Sequence, residues 1–181
     1  MPKRSLPVVF GRCIIFLVLA LGINVTSSLA IACGDSGAPL SEKLAGAVKT
    51  ADSIFIGKVE RFDFIKGVPN EFLESLREAT PSLTWETKTA VFSVDRYWKG
   101  TDDAEISIVT DVTRNSDGTA SNSSDDYKFE VGKTYLVFAR KFKGYLKTSG
   151  CSFTRRDDQI DEILPLLGEG KIPVKPNRQI Q

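Results

Sequence analysis

The sequence predicts a mainly β domain, a small closed barrel with one packing helix at its start and one at its end. Three observations carry that reading. Residues 53–65 and 84–98 are long segments rich in β-branched and aromatic side chains. Shorter segments of the same kind, 104–110, 134–140 and 145–148, follow between turn residues. Gly57 sits inside the first long segment, where a bulge or sharp bend lets a small barrel close.

Residues 1–30 read as a signal peptide. Lys3, Arg4 and Arg12 form a basic start, and residues 13–23 (CIIFLVLALGI) form an apolar stretch of secretory length. Ser28-Leu29-Ala30 offers small residues where a signal peptidase needs them, so cleavage leaves Ile31 first. A second site, Ala30-Ile31-Ala32, leaves Cys33 first. The apolar run is shorter than the about 18 residues of a transmembrane span, so no span is expected. The expected location is secreted, periplasmic or extracellular. Ala30-Ile31-Ala32-Cys33 also passes as a weak lipobox, which would anchor the chain by lipid on Cys33.

Cleavage after Ala30 leaves 151 of 181 residues and turns the formal charge from +1 to −2. It also removes Cys13, so two of the three cysteines remain, Cys33 and Cys151. Two fates of Cys33 stand: lipidation, or a bridge to Cys151 in an oxidising compartment. By chain entropy, a bridge closing nearly the whole domain is worth about 4–5 kcal/mol.

Residues 39–50 carry Leu40, Leu44, Ala47 and Val48 at helical spacing, with Pro39 suited to a first turn. The first long strand follows. Residues 66–83 read as an insertion, in which Asn70 caps a short helix carrying Phe72, Leu73 and Leu76. The second long strand then precedes a turn at residues 99–103 and the strand 104–110. Residues 111–126 hold Val112 and Ala120 as their only aliphatic residues and read as a solvated loop, with a sequon at Asn122-Ser123-Ser124. Residues 157–167 place Ile160, Ile163, Leu164 and Leu167 on one helical face, which Pro165 ends or kinks. Residues 168–181 read as a flexible basic tail. Five strands with these helices make a five-stranded Greek-key OB-type barrel the economical architecture, spanning residues 31–167.

Composition narrows function by exclusion. With no histidine, the chain has no Ser-His-Asp triad, no His-ligated zinc or haem and no His general base. Its near-balanced charge gives no electrostatic case for nucleic acid. Asp157, Asp158, Asp161 and Glu162 read as a solvated helix face near a helix start, Trp85 and Trp98 as core or barrel-edge residues, and Arg155-Arg156 as a surface pair. A non-enzymatic monomer without a cofactor is expected.

Four stretches together resemble the tissue inhibitors of metalloproteinases (TIMPs) and their bacterial TIMP-like relatives. They are residues 52–59 (DSIFIGKV), 97–100 (YWKG), 129–139 (FEVGKTYLVFA) and 143–153 (KGYLKTSGCSF). The resemblance runs from about Cys33 to Leu167 and covers the netrin-like N-terminal TIMP domain, not the cysteine-rich C-terminal one. It implies that a free N-terminal segment chelates the zinc of a metalloprotease through its first amine and carbonyl. In that family two disulfides clamp the segment. Here the second bridge maps onto Cys33 and Cys151, whereas Ile31 stands at the leading cysteine and Asp125-Asp126-Tyr127 stands where the family has Cys-Gly-Tyr. The implied chelating segment is Ile31-Ala32-Cys33, with Ala32 facing the protease's specificity pocket. The other reading is a secreted or surface-held binding module without inhibitory activity, using the loop 111–126 or the tail 168–181 as contact surfaces.

Overall fold

The computed structural model describes residues 37–68, 79–100 and 102–174. The chain is mainly β. Helix α1 (Leu40–Thr50) is followed by β1 (Ser53–Lys66), β2 (Trp85–Lys99), β3 (Glu105–Asn115), β4 (Ala120–Ser121), β5 (Thr134–Phe142), β6 (Tyr145–Lys147) and β7 (Arg155–Arg156). A 3-10 turn (Asp157–Gln159) and helix α2 (Leu164–Leu167) complete it.

Five strands form a ring. β1 pairs antiparallel with β2, and β2 with β3. β3 pairs parallel with β6 at Ile108↔Leu146 and Val109↔Lys147, β6 forms a hairpin with β5, and β5 returns antiparallel to β1. β4 pairs with the end of β3, and β7 with the start of β5, outside the ring.

The first half of β1 is therefore bonded on both sides, and it must bend to reach both partners. Its register with β2 shifts at Ile54/Phe55, Ile56/Gly57 and Val59/Arg61, each shift adding local twist. Gly57 marks the closest approach: a Cβ there would lie 2.6 Å from the Ser93 carbonyl oxygen. The expected bend at Gly57 is thus present, and its cause is backbone contact across β1 and β2.

Strand alternation sorts side chains into two cores. Phe55 and Val59 of β1, Phe92 and Val94 of β2, Ile106 and Ile108 of β3 and Tyr135 and Val137 of β5 turn to one side and pack together. Ile54, Leu136 and Phe138 turn to the other, where Leu44 of α1 and Ile160 and Ile163 cover them. The first core contains a run of edge-on rings: Phe55–Phe92 at 5.3 Å, Phe92–Phe129 at 5.0 Å and Phe129–Tyr135 at 5.0 Å. Phe129 comes from the irregular stretch before β5, held by the Glu130 N–H donating to Tyr135 Oη at 3.0 Å.

The structure departs from the sequence expectations in three places. β3 runs to Asn115, so residues 111–115 belong to a strand and not to the expected loop. Its polar half pairs with the threonine-rich start of β2, as at Thr87↔Thr113, and Thr113 is fully buried against Ser121. Residues 157–167 do not form one helix. Pro165 lacks an N–H and is tolerated only in a first turn, so α2 begins at Leu164. The apolar set still packs as expected, with Ile160 and Ile163 buried and Leu164 and Leu167 against them. Residues 168–174 are bound, not free. The Trp98 indole donates to the Gly168 carbonyl at 2.9 Å, and Tyr97 and Lys171 exchange backbone hydrogen bonds of 2.8 and 2.7 Å. The helix expected after Asn70 and residues 175–181 lie outside the described residues. Among the described residues, no helix is long and apolar enough to cross a membrane.

The close approach at Gly57 predicts that Gly57→Ala destabilises the fold by about 1–3 kcal/mol. Gly46→Ala in α1, where a Cβ meets nothing within 4 Å, should stabilise it by up to about 1 kcal/mol. Urea denaturation of both variants checks this; equal midpoints would remove the packing argument.

Candidate functional site

The expected chelating residues Ile31, Ala32 and Cys33 lie outside the described residues. What the structure places is the surface around Cys151, the residue to which the resemblance ties them. Cys151 is exposed in the turn between β6 and β7.

That turn is bolted to β5 by hydroxyl groups. On the edge of β5 away from β1, Phe138 lies between the short partners β6 and β7 and pairs with neither. Thr154 accepts from the Phe138 N–H at 3.0 Å, and Thr148 donates to the Phe138 carbonyl at 3.0 Å. Thr148 also lies 2.7 Å from the Ser152 hydroxyl and 2.8 Å from that of Thr154. Both threonines are buried, and buried polar groups persist only when satisfied. Arg155 donates to the carbonyls of Ser152 and Thr154 at 3.2 and 2.7 Å. Phe153 packs edge-on against Phe138 at 5.6 Å. Cys151 therefore stands on a rigid bracket made from both sides of the turn.

The bracket touches a second segment. The Gly150 N–H donates to the Asp125 carbonyl at 2.6 Å. The structure thus brings Asp125-Asp126-Tyr127 next to the Cys151 turn, although Gly150 and Asp125 are 25 positions apart in sequence. Tyr127 continues inward to Phe129 and Tyr135, at 4.9 and 5.8 Å.

Asp126 is part-buried here. Its Oδ1 accepts the Asp111 N–H at 3.0 Å, and Asp111 itself pairs with Lys147 at 2.5 Å. Burial pushes the Asp126 carboxyl above the usual carboxylate range, and the hydrogen bond from Asp111 offsets this only in part.

Other candidates resolve into structural roles. Asp158 pairs with Arg156, which holds its carboxyl below the usual range, so part of the acidic cluster is an exposed ion pair. The Trp85 indole donates to the Val68 carbonyl at 3.2 Å, and Trp98 anchors Gly168. Among the described residues, no group of three or more Cys, Asp or Glu is placed to hold a metal. Sequence reasoning missed Thr148, Ser152 and Thr154. Their one signal is the crowding of hydroxyls around a single cysteine in TSGCSFT.

Compared with models of known protein families and with curated proteins, the chain matches none.

A carboxyl whose native pKa is raised holds its proton longer in the folded state. Its neutral form is favoured below the unfolded pKa, and stability declines as pH rises through the native one. Asp126→Asn keeps an Oδ1 acceptor for Asp111 and removes the buried charge. The variant should be more stable than wild type near pH 7 and equal to it at about pH 3. Urea midpoints at both pH values test this; a variant less stable near pH 7 would contradict it.

Proposed function

We propose that the chain is an exported, non-catalytic TIMP-like protein that presents its N-terminal segment to the zinc of a metalloprotease. The observation that carries this reading is the Gly150–Asp125 hydrogen bond of 2.6 Å. It joins the two segments to which the resemblance assigns the clamping of the N-terminus. The strand order supports the finer OB-type Greek-key reading: the first strand of the ring pairs with the second and with β5, and the third pairs parallel with the last.

In this reading residues 1–30 are the signal peptide, and Cys33 bridges to Cys151. Ile31 then offers a free amine and a carbonyl close to a rigid anchor. A catalytic zinc keeps one position for water or substrate and can expand to five ligands, so such a pair of atoms would displace the water and chelate it. Only the neutral amine binds, and α-amino groups titrate near pH 8, so deprotonation costs little near neutrality. The rigid turn supplies the harder requirement, preorganisation. Ala32 is small and fits a shallow specificity pocket.

One observation favours a second reading, a secreted binding module without inhibitory activity. Asp125 stands at the position of a clamping cysteine, so the segment has one tether where TIMPs have two.

Inhibition assays on a panel of zinc metalloproteases separate the readings. Protein beginning at Ile31 should inhibit, and one alanine added before Ile31 should weaken inhibition about a hundredfold, as loss of a dominant contact does. Equal potency of the two forms would remove the α-amine mechanism. Absence of inhibition by both would leave the binding module.

A further inference from the structure

Charge along the chain is segregated. Residues 131–156 contain no Asp or Glu and hold Lys133, Arg140, Lys141, Lys143, Lys147, Arg155 and Arg156, in a chain whose formal charge is only +1. Four of these cations lie on the β5–β6 hairpin, residues 140–147, and the tip is exposed.

The hairpin register puts Arg140 opposite Lys147 and Phe142 opposite Tyr145. Paired residues on alternate positions share a face, so one face carries two cations and two aromatic rings. Phe142 is 39% exposed, and the ammonium groups of Lys143 and Lys147 lie 5.5 and 5.8 Å from its ring centre. Asp111 pairs with Lys147, and the Asp52 carboxylate accepts the Lys141 backbone N–H. Neither of these contacts engages the Arg140 guanidinium.

Two local choices here cost stability. Like charges directly across a strand pair are unfavourable. Lys143 is the one non-glycine residue with positive φ among the described residues, at 47°, followed by Gly144 at 90°. A turn with both φ values positive favours Asn-Gly, so lysine is a costly occupant of its first position. Local choices that oppose the fold mark sites kept for function.

We propose that this hairpin is a docking site for an anionic lipid bilayer. Phe142 enters the interfacial region, while Arg140, Lys141 and Lys143 keep their charged heads at the lipid phosphates. A nucleic acid or an acidic polysaccharide fits less well. Residues 140–147 contain no Asn, Gln, Asp or Glu to read adenine or cytosine edges or to bind sugar hydroxyls, and their two rings form one cross-strand pair and not a row of stacking platforms.

Vesicle flotation of the exported protein tests the proposal. It should bind phosphatidylcholine vesicles containing one-third phosphatidylglycerol, bind pure phosphatidylcholine weakly, and lose the difference at high salt. Arg140→Gln with Lys143→Asn should lower binding about 25-fold, near five-fold per cation removed. That double variant should denature at about the same urea concentration as wild type, which separates lost binding from lost folding. Phe142→Ser should weaken vesicle binding but leave the weak capture by dextran sulfate unchanged. Equal binding to both vesicle types, or full binding by the double variant, would overturn the proposal. So would unchanged vesicle binding by Phe142→Ser, which would make the hairpin a general polyanion site.

Discussion

The rest of the structure depends on the two-sided pairing of β1. A strand bonded to β2 along its length and to β5 over Ser53–Lys58 can serve both only by twisting, and three register shifts supply the twist. Gly57 permits the closest contact, against the Ser93 carbonyl. Held in that closure, β5 alternates between two faces. One face sends Tyr135 and Val137 into the first core, and the other sends Leu136 and Phe138 into the second. The Asp52 side chain reinforces the join by accepting the Lys141 N–H at 2.7 Å, just past the end of the β1–β5 ladder.

From that arrangement follows an unequal second edge of β5. β7 pairs at Tyr135 and Leu136, and β6 at Arg140 to Phe142, which leaves the Phe138 backbone between them. An unsatisfied buried amide or carbonyl costs about 1–3 kcal/mol, so the gap has to be filled. Thr148 and Thr154 fill it with side chains, and in doing so they fix the turn that carries Cys151. Rigidity at the proposed anchor is thus a by-product of satisfying one strand residue. Continuing β5 past this gap leads into the cationic hairpin, so the proposed anchor and the proposed bilayer contact hang on the same strand.

Much of the fold was legible in the sequence because the relevant signals are local. β-branched and aromatic runs marked β1, β2 and β5 to within a residue or two, and helical spacing marked α1. What escaped depends on partners. The end of β3 looks like loop because its residues are polar, yet Thr113 is buried by β2 and Ser121. Residues 157–167 have the apolar period of a helix, but Pro165 forces the turn to restart. The strap 168–174 carries no core signal because it is held by backbone bonds to Tyr97, while Ile172 and Val174 stay exposed. Of the candidate site, the cysteine was legible and its hydroxyl bracket was not, since isolated Thr and Ser residues carry no spacing that announces a strand gap.

The central claim is that the Cys151 turn anchors the start of the exported chain through Cys33. Mass mapping of the exported protein, digested without reduction, tests it most directly. The account predicts an N-terminus at Ile31 and a peptide containing Cys33 linked to the peptide containing Cys151, separating on reduction. A lipid adduct on Cys33, or a Cys151 peptide with a free thiol, would contradict it.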